Sequence, residues 1–278
     1  MTAPLNIAHR GGAQLWPENT LFAFESAAKA GYGGAELDVQ LTRDDRLVVF
    51  HDFALKPELC RDSHGRWIGR SERTPIRNLS LAQLGAFDVG KPKPRSLYAR
   101  RHRRLTPRDG ERMPALADVI AAVRSIEHFR LFVELKTSSD RRVPSAPPQA
   151  LAEAVVHELR ARDFLDRTVL VGFDWTGLIH AKRIEPAIPC WFSTRRRARV
   201  SPHTVKEAGG DGWFCPLDRA SASAVRQAQA LGLRVGVWTV DRPRDLHRLV
   251  SLGVDAICTD RPDRLRQLIE ADSAPDIR

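Results

Sequence analysis

Short apolar runs recur along the chain with helical windows between them, and this alternation limits the architecture more than any other feature. The runs fall at 5–9, 35–40, 131–136, 168–173, 188–193, 212–215, 234–240 and 256–259. Most are continuously apolar, the pattern of parallel strands buried on both faces. Helical periodicity fills 20–30, 116–126, 149–162, 220–231 and 243–252. Gly31, Gly232 and Gly253 follow helix ends, where glycine takes the left-handed C-terminal conformation. Eight strands alternating with helices predict one α/β unit over 1–278, a (β/α)8 TIM barrel with its working residues at the strand C-terminal ends. An open doubly wound sheet is the alternative, but no G-x-G-x-x-G opens a helix.

One stretch breaks the alternation. Residues 52–113 are rich in Pro, Arg and Gly, with a short helical piece at 79–86. Compact domains rarely hold a structureless loop that long, so the stretch reads as a small inserted subdomain after the second strand, on the catalytic face. A second break, 137–148, reads as a loop after a strand.

The charge balance is +10, from 44 basic and 34 acidic residues, and lysine stands only at 29, 56, 91, 93, 136, 182 and 206. Arginine therefore carries the excess, with clusters at 95–108 and 195–199. Such clusters either attract anionic partners or decorate solvated loops. No nucleic-acid motif or interleaved aromatic platform accompanies them, so no nucleic-acid partner is expected. No apolar run approaches the ~18 residues of a membrane span. The first six residues contain neither a charged n-region nor an apolar h-region. Cys60, Cys190, Cys215 and Cys258 lie far apart without a C-x-x-C pair. The expectation is a cytoplasmic protein without disulfides or stable membrane insertion; the oligomeric state is open.

The chemistry-bearing residues cluster at predicted strand ends. His9-Arg10-Gly11-Gly12 closes the first strand, placing an imidazole and a guanidinium at the barrel mouth, with glycines that permit close backbone approach. Taken alone, it reads as a structural turn. Glu36 and Asp38 project from one side of the second strand, with Leu37 facing the helices. Two such carboxylates repel unless a cation lies between them. Glu134-Leu135-Lys136 repeats the spacing in the third strand, and a simple Glu134–Lys136 ion pair is the plain alternative. Three converging carboxylates suit Mg²⁺ or Ca²⁺. A turn at 42–45 and a further run at 47–50 bring His51 back toward Glu36 and Asp38. His9 and His51 then suit a pair that deprotonates a nucleophile and protonates a leaving alkoxide. Asn19 is expected to cap the following helix, Glu18 to be structural, and Trp238 either to wall the pocket or to pack the core, with Trp16 and Phe173 as lesser wall candidates. The remaining histidines, His102 among them, read as surface or loop residues.

The ordered motifs resemble the glycerophosphodiester phosphodiesterase family: His9-Arg10-Gly11, Pro17-Glu18-Asn19-Thr20, Glu36-Leu37-Asp38-Val39 and Val49-Phe50-His51-Asp52. Glu134-Leu135-Lys136, Val237-Trp238-Thr239-Val240 and Thr259-Asp260-Arg261-Pro262 are similar to later family elements. The resemblance implies metal-dependent hydrolysis of a small-molecule glycerophosphodiester to sn-glycerol 3-phosphate and an alcohol. It implies Glu36, Asp38 and Glu134 as ligands of a divalent cation and His9 and His51 as acid and base, in either order. Arg10 and Lys136 would contact phosphate, the insertion would shape the alcohol pocket, and the nucleophile would be water or a substrate hydroxyl. A lysophospholipase D-type reaction, or a non-catalytic basic anion-binding module, are the alternatives. The sequence departs from the pattern at Gly172, where serine is common, and at Asp241, where asparagine is common.

Overall fold

The computed structural model describes residues 3–140, 142–196 and 200–273, so part of the 195–199 arginine run lies outside the described residues. In chain order the elements are β1 (Leu5–Ala8), α1 (Leu21–Lys29), β2 (Gly34–Leu41), β3 (Leu47–Val49), α2 (Leu81–Leu84), α3 (Leu97–Arg101), α4 (Leu116–Val123), β4 (Arg130–Leu135) and α5 (Pro148–Ala161). They continue as β5 (Thr168–Gly172), α6 (Trp175–Ile184), β6 (Cys190–Ser193), α7 (Pro202–Glu207), β7 (Gly212–Pro216), α8 (Ala222–Ala230), β8 (Arg234–Trp238), α9 (Pro243–Ser251), β9 (Ala256–Thr259) and α10 (Pro262–Ser273).

The strands pair in the order β1-β9-β8-β7-β6-β5-β4-β2, and β1 pairs with β2 to close a parallel barrel. The outer strand β3 runs antiparallel to β2, with Val39 opposite Val49 and Leu41 opposite Leu47. Period-two geometry sorts each strand between two cores. Ile7, Phe132, Val169, Val171, Trp191 and Phe214 fill the barrel interior. Leu37, Val39, Leu131, Val133 and Leu170 point outward to the helical layer. There, α4 presents Leu116, Val119, Ile120 and Val123 at helical spacing. Gly236 is dictated by the interior: a Cβ would lie 2.6 Å from the Phe214 ring and 2.8 Å from that of Trp191.

Between β3 and α4 the chain builds a small apolar cluster from Phe50, Leu55, Cys60, Ile68, Ile76, Leu84 and Val89, continuous with Val48 of β3. The two short helices α2 and α3 lie within this stretch. All four cysteines are buried free thiols, and no described helix is long and apolar enough to cross a membrane.

Candidate active site

The turn after β1 has left-handed geometry at three successive residues, Arg10 (φ 51°), Gly11 (φ 84°) and Gly12 (φ 101°). A Cβ at Gly11 would meet that of Ala23 at 2.7 Å, so the glycine allows the turn to sit directly on α1. Arg10 is thereby aimed into a nest of carboxylates. Its backbone N–H donates to Glu36 Oε2 (3.2 Å) and its Nη1 donates to Glu18 Oε1 (3.0 Å). Its Nε stands 3.3 Å from Asp38 Oδ2.

Register places the carboxylates. Asp38 of β2 lies directly opposite Glu134 of β4, with Glu36 two residues earlier on the same face. Glu36, Asp38 and Glu134 each offer an oxygen within 4.8 Å of the others. Glu36 and Asp38 are almost fully buried. Burial, followed by the neighbouring Asp38 charge, pushes the Glu36 carboxyl up to about 8. Asp38 goes the other way: burial opposes its charge, but His51, Lys136, Arg10 and Asn19 hold it well below the ordinary carboxylate range. Lys136 Nζ lies 3.1 Å from Glu134 and 3.4 Å from Asp38, so the Glu134–Lys136 pair and the carboxylate trio coexist. Hard oxygens this close, with Glu36 unable to ionise cheaply, fit a divalent cation held by Glu36, Asp38 and Glu134.

Each predicted histidine is held by a carboxylate. His9 Nδ1 lies 2.6 Å from Asp260 Oδ1, and its Nε2 faces Glu36 Oε2 at 3.7 Å. Burial works against charge on His9, but Asp260 overrides it and raises the imidazole to about 9. His51 Nδ1 lies 2.7 Å from Asp52 Oδ1. Burial opposes the Asp52 charge, yet His51 and Lys56 lower its carboxyl to about 2. In both cases Nδ1 is engaged by a carboxylate, so Nε2 is the nitrogen that can meet a substrate, that of His9 beside Glu36.

These groups line one side of a cavity of about 190 Å³ at the strand C-terminal ends, with His9, Arg10, Glu36, His51, Glu134 and Lys136 on its polar wall. Phe173, Phe214 and Trp238 form the apolar wall, and Phe173 meets Trp238 edge-on at 5.3 Å. A larger concavity of about 710 Å³ opens at the opposite end, among strand starts such as Leu5, Arg130 and Arg234. It contains neither the histidine pair nor the carboxylate trio, so size does not identify the site.

Three readings of single residues change. Asn19 does not cap α1; Thr20 does, its Oγ1 accepting from Ala23 N at 3.2 Å. Asn19 instead adopts φ 58° and donates through Nδ2 to Asp38 Oδ2 at 2.8 Å, because the left-handed turn rotates its side chain toward β2. Trp16 packs over Gly12 and beside Tyr32, away from the cavity. His102 is half-buried, stacked on Tyr98 at 3.9 Å, because α3 folds back over the barrel mouth. Asp241 Oδ1 accepts from Thr259 Oγ1 (3.0 Å) and from Asp260 N (2.9 Å), bonds that an asparagine oxygen would accept equally, while burial and the neighbouring Asp260 charge push its carboxyl up. Asp52 and Asp260 lay within quoted motifs without a role; their position next to a histidine or at a strand end was the available signal.

A closed barrel with acids, imidazoles and cations gathered at its strand C-terminal ends is the arrangement of a (β/α)8 enzyme. The family model for the glycerophosphoryl diester phosphodiesterase family matches residues 9–264, and the chain belongs to that family, as an enzyme of that kind. A glycerophosphodiester phosphodiesterase of Caldanaerobacter subterraneus subsp. tengcongensis is 27% identical over 276 residues, spanning 95% of this chain and 97% of that protein. The crystal structure of a Silicibacter pomeroyi protein carrying the same family name superposes with a TM-score of 0.89 at 31% identity, over 98% of this chain and 95% of that one. An Oleispira antarctica phosphodiesterase, solved with its product sn-glycerol-3-phosphate, shares the fold at 22% identity and a TM-score of 0.76, over 96% of this chain and 97% of that one.

Proposed function

We propose that the chain hydrolyses glycerophosphodiesters to sn-glycerol 3-phosphate and an alcohol with the help of a divalent cation, Mg²⁺ or Ca²⁺, held by Glu36, Asp38 and Glu134. The observation that carries this reading is the convergence of those carboxylates, within 4.8 Å of one another, with His9, His51, Arg10 and Lys136 around one cavity. A cation bound there supplies Lewis-acid polarisation and a template for the phosphate. Arg10 and Lys136 meet the phosphate oxygens, and the Trp238 wall takes the glycerol carbons.

His9 lines both this cavity and a neighbouring recess, whereas His51 lines only the cavity. His9 therefore protonates the departing alkoxide on the recess side, and His51 removes the proton from the nucleophile. That nucleophile is water or a neighbouring glycerol hydroxyl, and a cyclic phosphate trapped by rapid quenching distinguishes the two. Among the described residues Leu97 is the one large apolar side chain left exposed, which favours a small diester over a lysolipid. The reading also places the enzyme in the cytoplasm, acting on a small molecule rather than on nucleic acid.

The direct test measures glycerol 3-phosphate released from glycerophosphodiesters after chelation and again with Mg²⁺ or Ca²⁺ restored. Release only with metal is expected. Undiminished release from fully chelated enzyme would remove the cation from the mechanism.

A further inference from the structure

Beyond His9 and Arg10 lies a second recess of about 230 Å³, roofed by the 52–113 stretch through Lys56, Glu58, Tyr98, Arg101 and His102. Because it shares His9 and Arg10 with the cavity, a diester whose phosphate rests on Arg10 has one substituent in each space. Resting on the phosphodiesterase reading above, we propose that this recess receives the leaving alcohol and selects one that carries its own negative group, a carboxylate or a further phosphate.

The charges already matched within the recess set the sign of the ligand it can take. Glu18 accepts from Arg10 and from Tyr98 Oη at 2.6 Å. Asp260 is taken by His9. Glu58 accepts from the backbone N–H groups of Leu97 (3.1 Å) and Tyr98 (3.4 Å). Each carboxylate in the wall thus has a donor within the protein. The cations are less satisfied. Lys56 pairs directly with Asp52 at 3.3 Å, which it shares with His51, and its charge also acts on Glu18, which Arg10 and Tyr98 already engage. Arg101 lines the recess, is exposed, and has no hydrogen bond or ion pair among the described residues.

A cationic alcohol such as choline lacks its usual receptor here. Quaternary ammonium groups are recognised by open aromatic faces. Tyr98 has none to offer: His102 stacks on its ring at 3.9 Å with planes 17° apart. The Lys56 ammonium lies over the same ring, 5.1 Å from the centroid. A ring stacked that closely leaves no space beside it, so Lys56 occupies the other face. The one aromatic cage wall in the recess is already filled by a protein cation.

The experiment compares kcat/KM for four diesters: glycerophosphoglycerol, its terminally phosphorylated derivative, glycerophosphoglycerate and glycerophosphocholine. The wild type is compared with Arg101→Glu and Lys56→Met, each reported as the ratio of charged to neutral diester, so that losses common to all substrates cancel. The phosphorylated diester, or the glycerate diester if a carboxylate is preferred, is expected to exceed the neutral one. Choline is expected to be poorest. Arg101→Glu should lower the anionic-to-neutral ratio by roughly tenfold and Lys56→Met by about fivefold, the size of one or two partly screened charge contacts. Added KCl should erode the wild-type ratio. Equal use of all four diesters, choline as the best alcohol, or a ratio unmoved by Arg101→Glu would overturn the subsite while leaving the phosphodiesterase reading standing. Absence of glycerol 3-phosphate from every diester with metal present would overturn both.

Discussion

Single side chains in this site are held by second side chains, and that pairing sets how each should respond to substitution. An imidazole presents Nε2 to a substrate only if Nδ1 is fixed, and Asp260 does this for His9 at 2.6 Å. Asp260→Asn keeps the shape but allows the amide to donate to Nδ1, favouring the wrong tautomer. A kcat loss of roughly 10²-fold is expected, with a displaced pH profile, against ~10²–10⁴-fold for His9→Ala. The proton-donor role is checked separately with a p-nitrophenyl diester, whose leaving group needs no proton. On it His9→Ala should recover most of its rate while His51→Ala should not; recovery by His51→Ala instead would reverse the assignment, and equal losses on both esters for His9→Ala would remove it as the proton donor. Glu18 gives a stability test. Burial raises its carboxyl, but Arg10 pulls it below the ordinary value of 4.5, so its contribution is complete above 4.5 and is lost as pH falls through the depressed value. Glu18→Gln should cost about 2 kcal/mol at neutral pH. The gap in melting temperature from wild type should close in acid, and a gap that widens there would contradict the Arg10–Glu18 pairing.

Secondary-structure elements position these residues through register and close approach. The β2–β4 register puts Asp38 beside Glu134, and a slip of one residue would turn the whole acidic set toward the helices. The β2–β3 hairpin returns His51 to the same end of the barrel, tied by Phe50 N donating to Asp38 O at 2.9 Å and by Gln40 Nε2 donating to Phe50 O at 2.6 Å. Contact between the first turn and α1 depends on Gly11. Gly11→Ala adds a methyl 2.7 Å from the Ala23 Cβ at a positive φ, and should destabilise the fold by about 1–3 kcal/mol, read as a lowered denaturation midpoint. An unchanged midpoint would mean that the turn and α1 can separate freely. Helix α6 shows only a weak sequence period because Gly177 stands on its buried face beside Leu178 and Ala181. That glycine serves tertiary packing: a Cβ there would lie 3.2 Å from Pro148 O and 3.3 Å from Leu135. The short helices α3 and α7 contain too few turns to show a period.

At the scale of the whole molecule, metal binding and folding are linked. A ligand that binds only the folded state stabilises it by RT ln(1 + [L]/Kd), about 2.7 kcal/mol at a hundred times Kd. Chelated protein should therefore melt lower than protein in millimolar Mg²⁺ or Ca²⁺. Asp38→Asn should abolish this increment, whatever its activity. A variant that kept the full increment would move the ion away from Asp38. The alternating apolar runs already specified a parallel α/β sheet covered by helices, because strands buried on both faces need helices against them, while a closed barrel and an open sheet share that pattern. The paired acids in β2 and β4 and the two histidines were likewise visible, since period-two spacing assigns them a common face without any knowledge of the fold. What spacing could not supply was the partner of each group. Local sequence points Asn19 to a helix cap because it shows only the neighbours, whereas the left-handed turn delivers its amide to Asp38. Asp260 reaches His9 across 251 positions of chain only because β9 pairs with β1 to close the barrel. His102 came to the mouth because the 52–113 stretch folds over it. Local pattern determines which face a side chain takes; closure of the barrel decides which side chains meet, because contacts between distant segments depend on how elements pack and not on their spacing.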